Sequence, residues 1–201
     1  MLLTATSSRE AGLARLPGTT VLRGDWKGRT VVAKTSRRIA EEEQALNATQ
    51  HVDGIVKLIE KVVCGNTKWL IMEPVGDELP FSPASVVLTH MDELASCVER
   101  LYGAGWLHCD ISYFNCRVFP PTGKAGFMDL GAAKTLKQAE KGTGEWATGT
   151  PQFMSLSTLL DGTHNLSSEL ESLISFSSLA TSIAAASRCQ PSGGHCSWNA
   201  G

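Results

Sequence analysis

No stretch of this sequence approaches the roughly 18 apolar residues that a membrane-spanning helix requires, which argues against a membrane partner. The opening residues, MLLTATSSRE, hold two leucines and no basic segment ahead of them, whereas a secretory signal needs a basic region and a longer apolar one. Charge of one sign is missing too. Eighteen Lys and Arg against 20 Asp and Glu leave a formal charge of −2. That excludes a strongly basic nucleic-acid binder and an acidic tail protein. The six cysteines, Cys64, Cys97, Cys109, Cys116, Cys189 and Cys196, include no C-x2-C pair. The nearest approach to a zinc site, Cys189 with His195 and Cys196, lacks that half-site. Reduced thiols in an intracellular protein, cytoplasmic or nuclear, are the expectation. Acids are absent after Glu171, and Arg188 is the only Lys or Arg beyond residue 142.

What is present suffices for one domain with a buried core: 201 residues, of which 42% are apolar. Thr20 to Trp26 and Arg29 to Thr35 are β-rich runs around Lys27-Gly28, a hairpin pattern. Ser36 to Gln50 reads as a helix with Ser36 as N-cap; Ile39, Ala45 and Leu46 are its apolar residues and Glu41, Glu42 and Glu43 its acids. Two more strands are expected at Ile55 to Val63 and Thr67 to Met72, then a loop from Pro74 to Pro83. Met91, Leu94, Ala95, Val98, Leu101 and Tyr102 recur at the spacing of one helix face. Short apolar pieces follow at 116–119 and 126–130. Strands with one helix first and a helical part after them predict an α+β fold in two lobes.

The chemistry concentrates in Leu107-His108-Cys109-Asp110-Ile111-Ser112-Tyr113-Phe114-Asn115. It resembles the catalytic loop of the protein kinase superfamily, H-x-D-x-x-x-x-N. One carboxylate there takes or orients the proton of the attacking hydroxyl, and an amide oxygen five residues on reaches a phosphate-bound Mg²⁺. Gly126-Phe127-Met128-Asp129-Leu130-Gly131 resembles the D-F-G motif, and Val31-Val32-Ala33-Lys34 the strand motif V-A-I-K. Leu70 to Gly76 resembles the hinge, and Gly149-Thr150-Pro151-Gln152-Phe153-Met154 the end of an activation segment. With Glu169-Leu170-Glu171-Ser172-Leu173 the set looks most like the fungal-type protein kinases.

The resemblance implies ATP and Mg²⁺ as cofactors. Asp110 is the implied catalytic base, Asn115 and Asp129 the implied metal ligands, and Lys34 the implied phosphate-binding lysine, paired with Glu42. Gly18 and Val21 would cover the nucleotide, Met72 would act as gatekeeper, and Glu73 and Val75 would address the adenine through their backbone. It implies a protein-kinase-like domain over 12–175, with an N-terminal lobe of about 12–73 and an incomplete helical C-terminal lobe of about 77–175. Residues 176–201 are an atypical tail; Ser175 to Ser187 can form one apolar helix, and Cys189 to Gly201 reads as disordered.

The sequence also departs from that pattern. Leu-Ala-Arg-Leu-Pro between Gly12 and Gly18 lacks a middle glycine, and Pro17 offers no N–H. Cys109 replaces the arginine of H-R-D, so a phosphorylated activation loop has no ion-pair partner there. Ser112 replaces the usual lysine, Leu156 and Ser157 replace the Pro and Glu of A-P-E, and Glu169 stands where an aspartate normally bonds the catalytic-loop backbone. Three activities fit. The first is ATP- and Mg²⁺-dependent phosphorylation of Ser/Thr hydroxyls in a protein substrate. The others are a pseudokinase scaffold that binds nucleotide and a small-molecule kinase. The oligomeric state is open.

Overall fold

The computed structural model describes residues 18–80, 82–141 and 148–188. The stretches 12–17, with the glycine-poor loop, and 189–201, with Cys189, His195 and Cys196, lie outside the described residues.

The first sheet has four antiparallel strands in the order β1 (Thr20–Trp26), β2 (Arg29–Thr35), β4 (Thr67–Glu73), β3 (Lys57–Cys64). Lys27 (φ 54°) and Gly28 (φ 79°) both turn left-handed, as a two-residue type I′ hairpin requires. The β2 run Val31-Val32-Ala33-Lys34 is buried at every position, as an inner strand between β1 and β4 with apolar neighbours on both faces. Alternate residues pack with Trp26 and Ile71 on one side. On the other, Val32, Leu70 and Met72 join the main core.

Helix α1 (Ile39–Ala48) lies against β3 and β4. It buries Glu42, Ala45 and Leu46, the i, i+3, i+4 stripe of one face. Deleting the Leu46 side chain to Ala would cost about 2–5 kcal/mol. The expected N-cap at Ser36 is incorrect. The helix starts three residues later with Arg38 at the cap and no side-chain cap bond. The chain spends Ser36 to Arg38 on leaving β2, and the Ser36 hydroxyl is buried without a hydrogen-bond partner.

A second sheet has the order β5 (Asp77–Glu78), β7 (Cys116–Phe119), β8 (Lys124–Phe127). The segment expected as loop from Pro74 to Pro83 thus contributes a short strand, recruited by backbone pairing of Asp77 with Val118 and Glu78 with Arg117. Helix α2 (Ala84–Gly103) packs on β8, with Val87, Leu94, Cys97, Val98 and Leu101 buried. Strand β6 (Trp106–Leu107) pairs with β9 (Lys134–Thr135). Thr135 and Gln138 form a capping box on α3 (Leu136–Glu140). Helix α4 (Leu156–Asp161) is capped by the Ser155 side chain and ends on Gly162 at φ 71°.

Helix α5 runs unbroken over Leu166–Arg188. It includes the helix expected at Ser175 to Ser187, continuous with the residues before 175. Phe176 is 2% exposed and packs against Tyr113 and Phe153 at ring-centroid distances of 6.0 and 6.2 Å. No helix among the described residues is long and apolar enough to cross a membrane.

Candidate active site

Lys34 ends the buried β2 run and projects onto the face that carries α1. Its Nζ lies 2.9 Å from both carboxylate oxygens of Glu42 and 2.5 Å from Oδ1 of Asp129. Glu42 is fully buried, whereas Glu41 is exposed and Glu43 turns outward to pair with Lys61 at 2.6 Å. Burial works against the Lys34 charge, but the Glu42 and Asp129 carboxylates outweigh it and hold the ammonium above its ordinary value. Burial pushes Glu42 up to about 7, against the opposing pull of Lys34. Asp129 behaves differently: burial favours its neutral form, yet Lys34 and the Gly131 N–H hold it below the usual carboxylate range.

A short backbone ladder fixes where Asp129 sits. Phe127 donates its N–H to Gly54 O at 2.7 Å and accepts from Val56 N–H at 3.0 Å. A Cβ on Gly126 would stand 2.2 Å from Gly54 O, so only glycine permits this approach. Met128 then donates to Asn115 O, and Asp129 adopts φ 65°, a costly conformation for a non-glycine residue.

The loop after β6 supplies the remaining groups. His108 is fully buried, its Nε2 3.2 Å from Met128 O, and burial holds its pKa below the ordinary value. Cys109 has φ 61°. The Asn115 amide donates to Asp110 O at 2.8 Å and to Asp110 Oδ2 at 2.9 Å, and the Thr150 hydroxyl donates to Oδ1 at 2.7 Å. Both side chains that donate to the Asp110 carboxylate, Asn115 and Thr150, are neutral. Glu169, in the first turn of α5, accepts from the His108 N–H at 2.8 Å and the Cys109 N–H at 3.0 Å. Its extra methylene over aspartate therefore does not prevent it from holding the loop. Ser112 is fully buried with its hydroxyl unpartnered.

The nucleotide-side residues are distributed as follows. Val21 stands directly opposite Lys34 in the β1–β2 register, so both side chains leave the same face. Gly18 turns at φ 91° beside Arg37. Met72, 1% exposed, pairs with Val32. Glu73 pairs with Arg29 at 3.0 Å. With Val75, Glu73 lines a separate cleft of about 520 Å³ that also involves Arg23, Thr30, Lys57 and Pro120, and neither Lys34 nor Asp129 borders it. The sequence did not single out Thr150 as a partner of Asp110, or His164, which lies buried beside Cys109 and Glu169.

The family model for fungal protein kinase matches residues 65–175, more than half of the chain. The chain belongs to the fungal protein kinase family. The match covers Leu70 to Gly76, the loop that holds Asp110 and Asn115, and Asp129, Thr150 and Glu169. Lys34 and Glu42 lie outside the matched range and enter the site through the ion pairs above. No curated protein matches the chain.

Proposed function

We propose that this protein transfers the γ-phosphoryl group of ATP to Ser/Thr hydroxyls of a protein substrate, in a two-lobed kinase domain whose cleft holds Lys34, Glu42 and Asp129. The observation that carries the reading is the three-way contact of Lys34 with Glu42 and Asp129. It joins the sheet, the helix and the segment leading from the catalytic loop into one charged cluster.

The residues present fit Mg²⁺. Asp129 is kept ionised, and Asn115 offers an amide oxygen while its nitrogen is spent on Asp110. Hard oxygen donors of this kind suit Mg²⁺ rather than a soft metal. When bound, Mg²⁺ supplies neutralisation of phosphate charge. Lys34, braced by Glu42, orients the α/β-phosphates. Asp110 takes the hydroxyl proton at a carboxylate oxygen, positioned by Asn115 and Thr150. Met72, Val21 and Gly18 would border the adenine, and Glu73 and Val75, which line the neighbouring cleft, would meet it only through their backbone. The Thr150–Asp110 bond supports a protein substrate over a small-molecule one, because it ties the T-G-T segment to the base.

Binding without transfer is the second reading. Ser112, buried and uncharged where a lysine would face the transferred group, favours it. Incubation with γ-labelled ATP, Mg²⁺ and a mixed protein substrate, followed by phosphoamino-acid analysis, tests the proposal. Label on Ser or Thr supports it. A Tm raised by ATP and Mg²⁺ with no label transferred selects binding alone.

A further inference from the structure

Behind the catalytic loop, three side chains from distant parts of the chain meet. Cys109 follows β6, His164 lies between α4 and α5, and Glu169 is in the first turn of α5. The Cys109 sulfur, a His164 ring nitrogen and a Glu169 carboxylate oxygen all lie within 4.8 Å of one another. They line a cavity of about 10 Å³ with Asp110, Gly149, Thr150 and Met154 among its other walls. That is room for one water-sized body.

Hydrogen bonding within the protein leaves this cluster incomplete. His164 is 6% exposed, and its Nε2 is buried with no hydrogen-bond partner. Glu169 is 3% exposed and has no ion pair with Lys or Arg among the described residues. Its two N–H donors occupy one lone pair on each oxygen and leave the others free. Burial and the neighbouring Asp110 charge push Glu169 up to about 7. Burial also keeps His164 neutral, down at about 4, the form in which imidazole ligates a metal. A divalent cation would satisfy the orphan nitrogen and supply the missing positive charge together. A thiolate, an imidazole and one carboxylate form a borderline-soft donor set that suits Zn²⁺ and not Mg²⁺ or Ca²⁺.

We propose that Cys109, His164 and Glu169 form a Zn²⁺ site that fastens the catalytic loop to the α4–α5 connection. It is empty here. Binding converts the Cys109 thiol to a thiolate and releases its proton to solvent. The site is independent of the phosphoryl-transfer reading.

The test uses the full chain with Cys189→Ser and Cys196→Ser, which removes the thiols of the C-terminal segment. Titration with Co²⁺ alone should give one equivalent bound with thiolate-to-cobalt charge-transfer absorption, displaced by Zn²⁺. Cys109→Ser should abolish that absorption, and His164→Gln should weaken Zn²⁺ binding at least about tenfold, the scale of a lost metal-site partner. X-ray absorption of the zinc form needs no further variant: one sulfur in the coordination sphere supports the site, and only oxygen and nitrogen ligands overturn it. Absence of one-to-one binding, or cobalt–thiolate absorption that persists in Cys109→Ser, also overturns it.

Discussion

Lys34 answers the buried Glu42 carboxylate and the partly exposed Asp129 carboxylate at once, so its removal leaves both uncompensated and Glu42 buried without a partner charge. Breaking a buried pair by removing one partner costs about 3–5 kcal/mol. Lys34→Met should therefore lower the unfolding free energy by that amount, and Lys34→Met with Glu42→Leu should recover part of it, as read by urea denaturation. A Lys34→Met protein as stable as wild type would contradict the pairing. Glu169 is the second residue of this kind. Each buried N–H it satisfies is worth about 1–3 kcal/mol if orphaned. Glu169→Ala should destabilise accordingly, and Glu169→Gln, which keeps one acceptor oxygen, should do so less. The residues that meet here could be picked out in the sequence because the kinase pattern they resemble prescribes type and spacing: Asp110 and Asn115 five apart, and Asp129 two before Gly131. The Cys109–His164–Glu169 cluster was not legible. Fifty-five residues separate Cys109 from His164, and no local spacing rule joins them.

At the scale of elements, β8 is held between the Gly54–Val56 loop and α2. Gly126→Ala would force the strand off Gly54 O, and overpacking of this kind costs about 1–3 kcal/mol. The denaturation midpoint should fall, and an unchanged midpoint would contradict the close approach. From the other side, Glu93 of α2 accepts the Ala125 N–H at 2.8 Å and contacts His90 Nδ1 at 3.0 Å. Burial alone would raise its pKa, but these two donors bring it below the ordinary carboxylate value. A depressed folded pKa gives stability that is present above the unfolded value of about 4.5 and lost as pH falls through the lower folded value. Stability measured across that acid window should fall in wild type and flatten in Glu93→Gln. The β1–β2 hairpin and α2 were readable from local periodicity and turn residues. Strand β5 was not, since Asp77-Glu78 has no strand propensity of its own and borrows its form from β7. The shift of the α1 start from Ser36 to Ile39 has the same character: tertiary geometry decided it.

Across the whole molecule, one core runs from α1 and β4 through β8 and α2 to Phe176 of α5. The α4–α5 end is less covered. Leu156, Leu160 and Ile174 are 67%, 77% and 64% exposed, and Leu156 and Leu160 stand one turn apart on α4. Apolar exposure of this kind drives self-association. Sedimentation velocity should show association that grows with concentration and weakens in the Leu156→Lys, Leu160→Lys variant; a wild type monomeric at all concentrations would refute this. Around that core, Lys34, Glu42, Asp110, Asn115 and Asp129 come from four separate segments, and the claim that they perform phosphoryl transfer is the central one. The most direct measurement compares γ-phosphate transfer from labelled ATP by wild type and by Asp110→Asn with matched Tm. Loss of a positioned base is worth about 100-fold or more, so the account predicts labelled protein from wild type and at least that reduction in the variant. Equal labelling by the two proteins, or none by wild type, would contradict it.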